Sequence, residues 1–212
     1  MHRFDEALFA DEATKERIIQ ELVSEPDRTL KAMISILETG PKMRWKLAVQ
    51  IIRAIGYPHN VAAIPRLIEH VGNINSPDWD EIVQALAEMD SHVVIPYLLL
   101  FLLDKSQHEY WEADVEGVCW MLQKIDRTYA LACGPTMVYL LSQENLYRKL
   151  DVTLLLDVLE KIGPECAEYA LPALINLVHQ EGANAVHTQA RHLIDSFSEE
   201  AREPYKYLLA SS

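Results

Sequence analysis

A five-residue apolar pattern returns five times along this chain of 212 residues. It reads Ile51-Ile52-Arg53-Ala54-Ile55, Ile82-Val83-Gln84-Ala85-Leu86, Met121-Leu122-Gln123-Lys124-Ile125, Val158-Leu159-Glu160-Lys161-Ile162 and Leu193-Ile194-Asp195-Ser196-Phe197. The first residues lie 31, 39, 37 and 35 positions apart. Self-similarity at such a period marks a chain whose units bury their apolar faces against their neighbours, as stacked helical units do. A second signal runs in phase with it. Ile64-Pro65-Arg66-Leu67, Ile95-Pro96-Tyr97-Leu98, Gly134-Pro135-Thr136-Met137 and Leu171-Pro172-Ala173-Leu174 are spaced by 31, 39 and 37 residues. Proline has no backbone N–H and clashes with the preceding turn, so it starts or kinks a helix. The unit is therefore a helix carrying the proline, a polar loop, a second helix ending in the pentad, and a tight turn.

The breakers agree. Gly40-Pro41, Gly56-Tyr57-Pro58 and Gly163-Pro164 mark helix stops followed by new starts, and Ser24-Glu25-Pro26-Asp27 does the same earlier. Asn73 to Asp78 and Glu181 to Asn184 divide two of the units. First helices are expected near 26–38, 59–72, 91–104, 128–142 and 165–180, and second helices near 41–55, 78–89, 108–125, 146–162 and 183–197. A helix at 11–23 leads in and one at 199–210 closes the array. With seven glycines and no alternating apolar pattern of useful length, strands and hairpins have little support. Half the residues are apolar, enough for a chain of this size to bury about 70% of its unfolded surface without a staple.

These residues resemble HEAT repeats, in which a helix with a proline is followed by one closing on an A-x-x-A-L-x-x-hydrophobic run. Pro65-Arg66-Leu67-Ile68 followed by Ile82 to Met89 carries the resemblance best, and Pro172 to Ile175 followed by Ala190 to Ile194 comes next. The resemblance covers about residues 26–210. It implies an all-α, right-handed superhelix of HEAT or armadillo type, with about five helical hairpins. Residues 1–212 are read as one domain, with 1–25 an N-terminal capping segment, 26–197 the repeats and 198–212 a C-terminal cap. The resemblance also implies a scaffold or binding module more often than an enzyme.

Charge is uneven. Residues 1–56 are neutral, residues 57–126 carry −9 and residues 127–212 carry −4, for a total of −13. An acidic middle disfavours phosphate backbones, which need clustered Lys and Arg, and it suits a protein partner with a basic patch. Cys119, Cys133 and Cys166 form no C-x-x-C pair, which points to a reducing, cytoplasmic setting. The N-terminus has no apolar run of the signal-peptide kind. The longest apolar run, Val93 to Leu103, has eleven residues and is interrupted by Pro96, too short to span a bilayer.

In such arrays the second helices tend to line the binding face. On the helix over 78–89 the outward residues are Asp80, Gln84 and Glu88, opposite Trp79, Ile82, Val83, Leu86 and Met89. On the helix over 108–125 they include Ala113, Glu116, Gly117, Trp120 and Lys124, opposite Trp111, Val115, Val118, Cys119, Leu122 and Ile125. Trp120 follows small Ala113 and Gly117 and is rimmed by Glu112 and Glu116, an arrangement suited to an aromatic anchor. It could instead pack against the next unit, and Trp45 more readily so. Asp151 is expected to cap the helix that follows it. His187 and His192 are five apart, which does not align two ligands on one helix face, and no Cys/His cluster, P-loop, G-x-S-x-G or dinucleotide fingerprint occurs. The candidate binding residues are Asp80, Gln84, Glu88, Glu112, Glu116 and Trp120, with no catalytic residue, metal or cofactor expected. The function expected is a non-enzymatic protein-binding scaffold, of which an immunity or inhibitor protein is one form. The alternatives are two HEAT-like enzymes: a bilin lyase, and a DNA glycosylase that the acidic middle disfavours.

Overall fold

A computed structural model describes residues 2–72, 78–105, 112–143, 151–179 and 185–210. The expected loops at 73–77 and 181–184, and Trp111, lie outside the described residues. Every regular element among the described residues is helical. The chain divides into two compact units, Met1–Phe101 and Leu102–Ser212.

The first unit holds α1 (His2–Phe9), α2 (Glu12–Val23), α3 (Pro26–Thr39), α4 (Trp45–Ile55), α5 (Ile64–Val71), α6 (Trp79–Ala87) and the start of α7 (Ser91–Lys105). Helices pair as hairpins, α1 with α2, α3 with α4 and α5 with α6, and the second helices α2, α4 and α6 pack side by side in that order. The second unit holds the end of α7, then α8 (Glu112–Lys124), α9 (Arg127–Leu141), α10 (Val152–Ile162), α11 (Ala167–His179), α12 (Ala185–Ser196), α13 (Glu199–Arg202) and α14 (Lys206–Leu209). Here α9 pairs with α10 and α11 with α12, while α8, α10 and α12 stack in order.

The pentads explain the stacking. Their first, second and fifth residues are buried in all five copies, from Ile51, Ile52 and Ile55 to Leu193, Ile194 and Phe197. At about 100° per residue these three positions share one arc of the helix. The third and fourth positions face outward or sideways, apart from buried Ala85. Two pentads are followed by a glycine with positive φ, Gly56 at 70° and Gly163 at 73°. Only glycine enters that region at no steric cost, so each ends its helix cleanly.

Helix starts follow the side chains. Asp11 accepts from the Thr14 N–H at 2.9 Å, Asp126 from the Thr128 N–H at 2.8 Å and Asp151 from the Thr153 N–H at 3.0 Å. Pro26 and Pro65 sit in the first turns of α3 and α5, whereas Pro96, Pro135 and Pro172 lie inside α7, α9 and α11.

Several boundaries differ from expectation, and proline accounts for most of them. Tight 3-10 turns replace the first residues of three expected helices, at Lys42–Arg44, His59–Ala63 and Gly163–Cys166. Each lies beside a proline, Pro41, Pro58 or Pro164, whose missing donor leaves the first turn short of an α-type bond. The closing helix is broken at Pro204 into α13, a 3-10 turn and α14. Helix α1 has no counterpart in the sequence reading; its Phe4 and Ala7 are buried, and it supplies α2 with a hairpin partner.

In the second unit α9 meets its neighbours most closely at Gly134. A Cβ there would collide with the Tyr169 hydroxyl and come within 2.8 Å of Ile162 Cδ1. Ile162 is fully buried, so the room for relief is small. We expect Gly134→Ala to lower stability by about 1–3 kcal/mol despite alanine's better helix propensity, measured by chemical denaturation. A neutral or stabilised variant would mean that Tyr169 can swing aside.

Candidate functional site

Within each unit the second helices carry a polar row, and the pentads index it. The residue just before each pentad is Gln50, Glu81, Trp120, Asp157 or His192. In four units it is polar; in one it is an indole.

In the first unit this row is closed by α4. Glu81 accepts from Gln50 Nε2 at 3.2 Å and from Arg53 Nη1 at 3.1 Å, with Lys46 Nζ at 3.8 Å. Arg53 also grips Glu88 with both prongs of its guanidinium, at 2.9 and 2.5 Å, and Gln84 Nε2 donates to Glu88 at 3.1 Å. Asp80, Gln84 and Glu88 are all exposed, and the five core residues opposite them are buried. The carboxylate of Glu88 is nevertheless bound to Arg53, an ion pair the sequence reading missed. The bidentate hydrogen bonds from Arg53 hold the Glu88 carboxyl below the usual glutamate range.

In the second unit Asp157 is the hub. It accepts from Gln123 Nε2 of α8 at 3.5 Å and from Gln189 Nε2 of α12, so one carboxylate ties three second helices together. Two cations close the helix ends beside it. Lys161 Nζ donates to the Leu122 and Gln123 carbonyls at 2.7 and 2.9 Å and to the Ile125 carbonyl, capping the C-terminus of α8. Arg127 does the same for α10, donating to the Lys161 carbonyl at 3.1 Å and to the Ile162 carbonyl, with Glu165 as its counter-ion. Partial burial pulls the Lys161 pKa down.

Trp120 stands on this framework. Its residue exposure is 40%, and it makes no hydrogen bond or ring contact among the described residues. Around it on α8, Ala113 and Lys124 are exposed, and Glu116 is half-buried and accepts from the Asp151 N–H at 3.2 Å. Gly117, expected on the outer side, is buried; the stack covers a wider arc of α8 than the simple helical wheel assigns. Glu112 begins α8, and its side chain lies outside the described ones. Trp45, by contrast, is turned into its unit: Nε1 donates to the Gly40 carbonyl at 3.3 Å, and its ring lies 4.3 Å from that of His70. Burial lowers the His70 pKa, favouring the neutral ring that meets the Leu37 carbonyl at 3.1 Å.

Asp80, Gln84 and Glu88 thus share a face of the first unit, while Glu116 and Trp120 share a face of the second. Four of the missed residues were findable from the pentads, Arg53 and Gln123 as third members and Glu81 and Asp157 as the residues just before; Gln189, four residues before its pentad, carries no such mark. Among the described residues no group of three or more His, Cys, Asp or Glu is placed to hold a metal ion, and no helix is long and apolar enough to cross a membrane. The three cysteines are buried, and burial pushes Cys166 up to about 11, Cys133 up to about 12 and Cys119 upward as well.

No protein-family model matches this chain, and no curated protein matches it significantly in sequence. Among solved structures it is similar to a designed armadillo repeat protein, YIII(Dq)4CqI, at 14% identity and a TM-score of 0.40 over 91% of this chain and 98% of that one. A likeness that distant transfers no ligand and no activity.

Two expectations follow. A carboxylate whose folded pKa is depressed adds stability above its unfolded pKa, and that stability is lost as pH falls through the folded value. The melting-temperature gap between the native protein and Glu88→Gln should therefore be full near neutrality and close as pH falls below about 4; a gap that ignores pH would show that the pair contributes nothing. The native protein should also leave all three thiols unlabelled by Ellman's reagent until it unfolds, because the thiolate is the reactive form.

Proposed function

We propose that this protein is a non-enzymatic, protein-binding scaffold of the HEAT-repeat kind, with residues 1–212 forming one repeat domain that works in the cytoplasm. The observation that carries this reading is Trp120. A position that is polar in four units holds an indole in the remaining one, and that indole is left 40% exposed on a helix whose C-terminal end is capped by Lys161 and tied to α10 through Gln123. The exposed part of that ring adds no burial to the fold. Ordered aromatic surface of this kind is what interface hot spots use, because little entropy is lost when a partner covers it.

The partner this face suits is a basic protein segment. Glu116 and Asp157 lie on the same stacked helices as Trp120, and a Lys or Arg side chain can rest on the indole while its charge faces the carboxylates. In the first unit, Asp80, Gln84 and Glu88 add a second polar face; because Arg53 already neutralises Glu88, it contributes less net charge than the composition implies. The net charge of −13 disfavours nucleic acid as the ligand.

The test is a binding series against an array of Lys- and Arg-rich peptides. The native protein should retain a subset, Trp120→Ala should weaken that subset by about tenfold or more, and Glu116→Lys should weaken it further at low salt. Retention unchanged in both variants sinks the proposal. Native-like circular dichroism and melting of Trp120→Ala separate lost binding from lost fold.

A further inference from the structure

Between α11 and α12 runs a groove of about 460 Å³, lined by Val178 on α11 and by His187, Thr188, Arg191, His192 and Asp195 on α12. The α12 residues recur at one-helix-face spacing, 187 and 188, 191 and 192, then 195. A helical wheel separates His187 from His192, yet both line this groove.

Arg191 sets the groove apart. Eight other arginines lie in the described residues: Arg3, Arg17, Arg28, Arg44, Arg53, Arg66, Arg127 and Arg202 each form an ion pair with a carboxylate. Arg191 is exposed and has no hydrogen bond or ion pair among the described residues. In a chain with 32 acidic and 19 basic side chains, carboxylates outnumber cations, so an unpaired guanidinium is the less expected state. The acid nearest in sequence, Asp195, is turned to Arg202 at 3.6 Å, which leaves Arg191 unopposed within the groove. Arg202 also carries a buried Nε with no hydrogen-bond partner.

We propose that this groove is a binding site for a phosphate-type oxyanion, free or carried as an ester on a small molecule. A guanidinium presents a planar fork that matches two oxygens of a phosphate. The imidazole of His192, which lines the same groove, adds a donor, since even a neutral imidazole retains one N–H. Val178 supplies an apolar patch against which the body of an ester can lie. The site does not rest on the scaffold reading.

The experiment titrates the native protein with inorganic phosphate at constant ionic strength and follows the ring C–H resonances of His187 and His192 by NMR. A saturable shift is expected. Arg191→Gln should weaken it at least about tenfold, as for loss of a charged hydrogen-bond partner, and Arg191→Lys should fall between, because it keeps the charge and loses the fork. Arg17→Gln, which removes a paired surface arginine in the other unit, should change nothing. Phenyl phosphate binding more tightly than inorganic phosphate points to an ester, and equal binding points to the free anion. Shifts that fail to saturate, that chloride reproduces, or that survive Arg191→Gln intact overturn the proposal. Arg191 is exposed, so the variants should fold, and matching melting curves check that they do.

Discussion

Each pentad has to be covered on two sides at once. Helix α4 packs on its hairpin partner α3 and on the second helices α2 and α6, and α10 packs on α9 and on α8 and α12. Truncating a buried residue of that kind costs about 2–5 kcal/mol, whereas an exposed ion pair contributes about 0–1 kcal/mol. The apolar seam therefore sets the spacing of α2, α4 and α6 in one unit and of α8, α10 and α12 in the other. The polar contacts between those helices adjust to a spacing already imposed.

That ordering explains why polar groups recur beside the pentads. Stacked helices bring the residues just before and within successive pentads within hydrogen-bonding reach, so side chains there must be paired or left to solvent. The first unit pairs them through Arg53 and Glu81; the second gathers them on Asp157, with Gln123 and Gln189 as donors. Lys161 and Arg127 use the same proximity to satisfy the last carbonyls of α8 and α10, which would otherwise lack partners. Trp120 departs from this scheme: it occupies the same offset and pairs with nothing described. A row built for polar cross-links thus holds a partly exposed aromatic ring on a braced helix.

Much of this was legible in the primary structure. The apolar faces of α6 and α8 follow from helical periodicity, as do the outward positions of Asp80, Gln84, Glu88 and Trp120. Asp151 is read correctly as a cap because an acid before a β-branched helix start has few other uses. The failures have physical causes. Gly117 is buried because a stacked helix is covered over a wide arc, and a wheel drawn for one helix cannot register its neighbours. Glu88 reads as a free acid, but Arg53, 35 residues earlier, neutralises it. Helix α1 was overlooked because it is short, with two buried residues and no pentad to announce it.

What the sequence determined by itself is the set of surfaces that must be buried. Repeating apolar positions, in-phase prolines and glycine stops are local signals, and local chemistry is enough to make helices and to choose their inner faces. What the tertiary structure decided is which polar side chains are spent on one another and which remain available. Arg53 and Glu88 cancel, Asp157 is held by two glutamines, Trp120 is left in the open and Arg191 is left without a carboxylate. Pairing depends on distances between residues some 30 to 40 positions apart, and only the packed helices set those distances.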